Sequence, residues 1–182
     1  MSLCITTGRF RDCSRPISGG LSTVYLADRK CVDSIAQDAN DAVTGVTMVD
    51  PLTDFFYKFE FKPDSASFAE SITNENCSTL ATQTLTMSFV GRSQADIQTI
   101  KELLSCCCGL TAIVFENQRD TSGDKIGRFF GFEDTEELFL TGVEGTTGVL
   151  KSDANEFILT FTATATQPAD TYTGGEASIP TP

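Results

Sequence analysis

The clearest pattern in the chain is an alternation with a period of two over residues 79–90. Leu85, Met87 and Phe89 fall on one side, and Thr82, Thr84, Thr86 and Ser88 on the other, as in a half-buried strand. Gly91 breaks the pattern. Ser93 then supplies a helix cap, with the acid Asp96 three residues on. Ile97, Ile100, Leu103, Leu104 and Cys107 follow at helical spacing, and Gly109 is placed to end the element. The spacing predicts one helix over about residues 93–107, with a new strand over 110–115.

Elsewhere the periodicity is that of β-structure. Residues 21–27 and 43–49 read as strands, separated by a polar loop with about one helical turn. Residues 55–62 alternate Phe55, Tyr57, Phe59 and Phe61 with Lys58, Glu60 and Lys62, leaving Phe56 out of pattern. Full burial of one Phe is worth about 1.5–3 kcal/mol, so this aromatic face is expected to be a main source of stability. Residues 63–78 are polar except for Phe68 and Ile72, and predict a strand edge plus a long loop. Residues 126–132 pair with 110–115 as a hairpin across a turn. Residues 138–143 are a short apolar run, and 144–154 read as a loop. The last strand, residues 156–166, sets Phe157, Leu159, Phe161, Ala163 and Ala165 against Ile158, Thr160, Thr162, Thr164 and Thr166. Three parts result: a basic arm over residues 1–20, one β-domain over 21–166, and an extended or disordered tail over 167–182.

Charge sharpens this division. The formal net charge of the 182 residues is −12, yet residues 1–30 hold five basic side chains against two acidic ones. Three of the five, Arg9, Arg11 and Arg15, sit in the arm, which reads either as a mobile terminus or as a basic segment lying on an acidic neighbouring copy. The remaining body is strongly acidic. It lacks the Lys and Arg that tight phosphate binding needs, although a surface that repels DNA can still guide it.

Little in the composition points to catalysis. There is no His, which removes the commonest general base and metal ligand. The seven Cys include the run Cys106, Cys107 and Cys108, which has no metal spacing, and buried free thiols are the expectation. No phosphate-binding glycine loop or nucleophile motif occurs. Glu133, Asp134, Glu136 and Glu137 read as a solvated acidic loop. No catalytic residue, metal site or cofactor is implied. No apolar run approaches the ~20 residues of a membrane helix, and the first residues lack the pattern of a signal peptide, so folding in a cytoplasm is expected. What remains is the pair of threonine rows, which face bulk water, another copy or a water-filled channel.

Residues 1–9 with Cys13, Gly19–Gly20 and residues 24–28, then 130–133, 141–142 and 145–148, and finally 152–162, form a set of stretches in a fixed order. Together they resemble phage tail-tube proteins, especially those from phages of Bacteroidetes. The order of elements agrees over about residues 1–166. Residues 64–77 and the triple Cys depart from the pattern. The resemblance implies a mainly β fold, a tail-tube-like β-sandwich or barrel with one flanking α-helix. It implies rings of six copies that join their sheets into a continuous inner barrel, stacked rings forming a tube, and an acidic lumen through which DNA slides at ejection. No enzyme activity comes with it.

On this reading Thr82, Thr84, Thr86, Thr160, Thr162 and Thr164 are the candidates for the lumen wall. Arg9, Arg11, Arg15, Phe68, Glu70 and Ile72 are the candidates for contacts between subunits. The expected partners are further copies of the chain, the tape-measure, baseplate and connector proteins of the tail, and passing DNA without specific binding. No membrane insertion is expected, and the place is the virion tail, assembled in the host cytoplasm. A tail terminator, a connector ring or the inner tube of an injection device is the alternative within the same class. A carbohydrate-binding β-sandwich is the alternative outside it, weakened by the absence of Trp.

Overall fold

Residues 21–28 are apolar on both sides, and this decides the architecture. Val24 and Leu26 face one way and Tyr25 and Ala27 the other, and all four are buried. A strand of this kind must lie inside a sheet that is covered on both faces. The computed structural model describes residues 19–61, 64–75, 78–91, 93–120, 123–133, 135–147 and 155–182. In chain order the strands are β1 Leu21–Asp28, β2 Val32–Gln37, β3 Val43–Met48, β4 Tyr57–Phe59, β5 Ala66–Glu75, β6 Ser78–Val90, β7 Leu110–Arg119, β8 Lys125–Phe130, β9 Phe139–Thr146, β10 Glu156–Ala165 and β11 Asp170–Tyr172. One α-helix among the described residues, α1 Gln94–Ser105, links β6 to β7.

The strands form two sheets. The first has seven strands in the order β2-β3-β11-β8-β7-β1-β4, and the second has four in the order β5-β6-β10-β9. Between them lies the main core. Val24, Leu26, Ala112 and Val114 from the first sheet meet Leu85, Met87, Leu159 and Phe161 from the second. A second apolar cluster sits on the far face of the first sheet, where Tyr25, Ile113, Phe115 and Phe129 meet Val43, Phe56, Tyr172 and Ile179. The fold is a mainly β sandwich with a single flanking helix, as expected, and neither sheet closes into a barrel.

The helix starts as the sequence predicts. The Ser93 hydroxyl accepts from the Asp96 amide, and the Asp96 carboxylate accepts from the Ser93 amide, a complete capping box. Its buried stripe is narrower than expected. Ile97, Ile100, Leu103 and Cys106 pack on the core, whereas Leu104 and Cys107 are exposed. The helix ends at Ser105, and Gly109, at φ +75°, makes the turn into β7 instead of capping the helix directly.

Four other expectations are corrected. The aromatic strand shrinks to three residues at a sheet edge, with Tyr57 54% exposed and the out-of-pattern Phe56 fully buried. Alternation misled there because Phe56 lies just before the strand and turns into the second cluster, its amide donating to the Pro180 carbonyl at 2.8 Å. The polar stretch after Pro63 is no long loop but the ten-residue strand β5, paired along its length with β6. Residues 32–37 are a strand as well, after a 3-10 turn at Arg29–Cys31, and β9 extends to Thr146.

The fourth correction concerns the end of the chain. Residues 167–182 are extended, but they are stitched into the first sheet and are not a loose tail. Asp170–Tyr172 pairs antiparallel with β8 and parallel with β3. Tyr172 is 2% exposed, stacks edge-on to Phe115, and shares a hydrogen bond with Ser178. The Tyr172 ring, Ala169 and Ile179 supply the buried apolar surface of this otherwise polar segment.

Candidate functional site

The threonine rows become neighbours in the fold. β6 and β10 pair antiparallel with Thr86 opposite Thr160, Thr84 opposite Thr162 and Thr82 opposite Thr164. Directly opposed residues of an antiparallel pair share a face, so all six hydroxyls stand on one side. The other side holds Leu85, Met87, Leu159 and Phe161 in the core. Ser67, Ala69 and Ser71 of β5 extend the same face, being opposite Thr86, Thr84 and Thr82. On the far side a bulge in β9 brings in Thr141, whose hydroxyl lies 2.9 Å from that of Thr162 and donates to the Thr160 carbonyl at 3.2 Å. The centre of this outer face is thus lined mostly by short, neutral, hydroxyl-bearing side chains, while register places the exposed Leu80, Val90 and Phe139 around them on the same face.

Charge on this sheet has one sign. None of β5, β6, β9 and β10 contains a Lys or Arg, and their only ionisable side chains are Glu70, Glu75, Glu144 and Glu156. Register puts Glu75 on the threonine face at the β5–β6 turn, opposite Ser78. Glu144 and Glu156 lie on the same face at the other end, where the Ser88 hydroxyl donates to Glu156. The centre is neutral and the ends are acidic. The described basic residues Arg29, Lys30, Lys58, Lys101, Arg119, Lys125 and Arg128 all lie on the first sheet, its connections or the helix.

Neither outer edge of this sheet has a neighbouring strand among the described residues. β5 and β9 are its terminal strands, ten and eight residues long. Open edges of this length are templates for pairing with another chain unless something blocks them.

The candidates for subunit contacts lie in different settings. Phe68 is half-buried and packs against Phe130, ring centroids 4.8 Å apart. The Glu70 carboxylate accepts from the Gln83 side chain and from the Ala169 amide at 2.7 Å. Both are therefore engaged within the subunit. Ile72 is 50% exposed, beyond the core on the inward side of β5. Arg9, Arg11 and Arg15 lie outside the described residues.

Comparison with protein-family models, with curated proteins and with solved structures finds no match. The described thiols give little support to nucleophilic work. Burial and a hydrogen bond to Asp28 push Cys106 up to about 12, and burial and Asp54 push Cys31 up to about 11. Among the described residues no group of His, Cys, Asp and Glu is arranged to hold a metal ion. No described helix is long and apolar enough to cross a membrane.

Sequence reasoning missed one feature, an acidic cleft of about 580 Å³ at the end of the sandwich where β8 and β10 finish. Asp41, Gln83, Glu133, Glu136 and Asp170 line it. Glu136 accepts from the amide and hydroxyl of Thr166. Burial, and then the charges of Asp41, Glu133 and Glu136, raise the Asp170 carboxyl above its ordinary range. These residues are scattered along the chain, and only the pairing of β11 with β8 and β3 gathers them. Two signals were available: Glu133 and Glu136 of the acidic loop, and Gln83, the polar residue on the apolar side of β6.

Proposed function

We propose that this chain is a self-assembling structural subunit of a phage tail tube, non-catalytic, with the threonine face of the second sheet lining the lumen. The observation that carries the reading is the register of Thr82, Thr84 and Thr86 against Thr164, Thr162 and Thr160. It turns two rows into one smooth wall without a single cation on its strands. Counterion release at Lys and Arg is what holds proteins onto nucleic acid, so a wall without them lets a polyanion pass. Acids at its two ends add repulsion. The open edges of β5 and β9 support lateral assembly, because pairing β5 of one copy with β9 of the next would satisfy both.

Six copies would contribute about twenty-four strands to a closed inner barrel. Barrels of about sixteen strands already enclose an aqueous channel, so this one would be wide. The tape-measure, baseplate and connector proteins of a tail are the further partners this reading brings with it.

Negative-stain microscopy of the purified full-length chain tests it. Rings or tubes with a central hole are expected at high concentration, and rings that never stack would favour a terminator or connector role. Monodisperse monomers at every concentration would overturn the proposal. A second test asks whether the wall must be cation-free. Thr84→Lys with Thr162→Lys should leave assembly intact and make the tubes retain DNA in a salt-dependent way.

A further inference from the structure

The acidic cleft holds a polar atom with nothing to bind. Gln83 is 2% exposed and lines the cleft. Its amide nitrogen donates to Glu70 at 3.1 Å and to the Gln167 carbonyl at 3.4 Å. Its Oε1 has no hydrogen-bond partner among the described residues. Leaving a buried acceptor unmet costs about 1–3 kcal/mol, so this oxygen favours a ligand that brings a donor to the cleft. Around it stand Asp41, Glu133, Glu136 and Asp170, and no Lys or Arg lines the cleft. A ligand that fits must bring both positive charge and several N–H donors. A guanidinium does so in a flat fork that can serve a carboxylate and an amide oxygen together.

The chain carries such groups in a segment whose charge is opposite to that of its body. Residues 1–18 hold Arg9, Arg11 and Arg15 against the single acid Asp12. The segment joins the fold at Gly20, beside Asn117 and Ala66. That is the end of the first sheet where Leu21 pairs with Glu116. The cleft lies at the opposite end, where Phe130 pairs with Ala112 and the chain runs on to Glu133. A donor at one end and an acceptor at the other make a head-to-tail contact, which repeats along an axis when the rotation between copies does not close a ring. Eighteen extended residues reach up to about 60 Å, enough to cross from one copy to the next.

We propose that the cleft receives an arginine of the 1–18 segment from a second copy of this chain, locking successive copies along the assembly axis. This rests on the stacked-ring reading above and names the residues on both sides of the contact.

The test uses the full-length chain with a photo-crosslinking residue in place of Arg11. Equal amounts of this protein and ¹⁵N-labelled wild type are assembled, irradiated and mapped by mass spectrometry. Crosslinks from position 11 to residues 129–136 or 165–170 should join light to heavy chains. Crosslinks confined to one isotope, or none to the cleft, would overturn the inference. As a second measurement, R9A/R11A/R15A and Glu133→Lys should each raise the concentration needed for stacking about tenfold or more while single rings still form. Unchanged stacking in both variants also overturns it and leaves the tube reading intact. Absence of rings in the wild type would instead sink the tube reading itself.

Discussion

The amide of Phe56 donates to the carbonyl of Pro180 at 2.8 Å, joining the middle of the chain to its last residues. Phe56 and Ile179 are both buried in the cluster on the far face of the first sheet. Tyr172 lies in the same cluster, edge-on to Phe115. The C-terminal segment is therefore structural. Phe56→Ala and Tyr172→Ala should each cost about 3–5 kcal/mol, and the neighbouring Tyr57→Ala, at an exposed edge, no more than about 0.5 kcal/mol. Urea unfolding of the three variants checks this. Equal effects at positions 56 and 57 would restore the simple alternating picture of this strand.

Gly127 of β8 lies directly opposite Tyr172 of β11. A methyl group there would sit 2.7 Å from the Tyr172 carbonyl oxygen and 2.9 Å from its Cβ. Both obstacles are close to the backbone, so neither can rotate away. Gly127→Ala should displace β11 and destabilise the domain by about 1–3 kcal/mol, the usual range for overpacking. Faster amide exchange at Thr173, whose N–H donates to Val43, would locate the damage.

Glu176 gives the fold an acid-sensitive clasp. Burial works to raise its pKa, but the Thr23 hydroxyl at 2.7 Å and the Lys125 ammonium at 3.3 Å outweigh this and hold the carboxyl below its ordinary range. A carboxyl depressed in the folded state stabilises the protein above its unfolded pKa, and that stabilisation is lost as the pH falls through the folded value. The melting temperature should therefore drop on acidification below the usual glutamate range of about 4.3. Glu176→Gln should flatten that limb, which melting curves taken across the acid range would reveal.

The thiols should differ sharply in reactivity. Cys107 is exposed, while Cys31 and Cys106 hold their protons up to about 11 and about 12. At pH 8 their thiolate fractions are on the order of one in a thousand or less. Iodoacetamide labelling followed by peptide mapping should modify Cys107 at least about tenfold faster than either of them.

How far these features were legible in the chain depended on whether one residue's environment is set locally. The β6 and β10 alternations and the Ser93–Asp96 cap depend on near neighbours, and each appears where the pattern puts it. Phe56 and Tyr172 depend on strands far away in sequence, so the rule of alternation mistook the first and the polarity of residues 167–182 hid the second. The polar run that became β5 is held by its pairing with β6, not by its own burial, which is why it read as a loop. Both threonine rows were visible, but their register was not. That single fact, Thr84 opposite Thr162, turns two strands into a surface.

The absence of lysine and arginine from the second sheet also governs how reagents meet the protein. Amine-reactive dyes and amine crosslinkers have no target on β5, β6, β9 or β10, and trypsin has no cleavage site within them. Among the described residues the lysines Lys30, Lys58, Lys101 and Lys125 all lie on the first sheet, its connections or the helix, so the strands that carry the two threonine rows stay free of such tags.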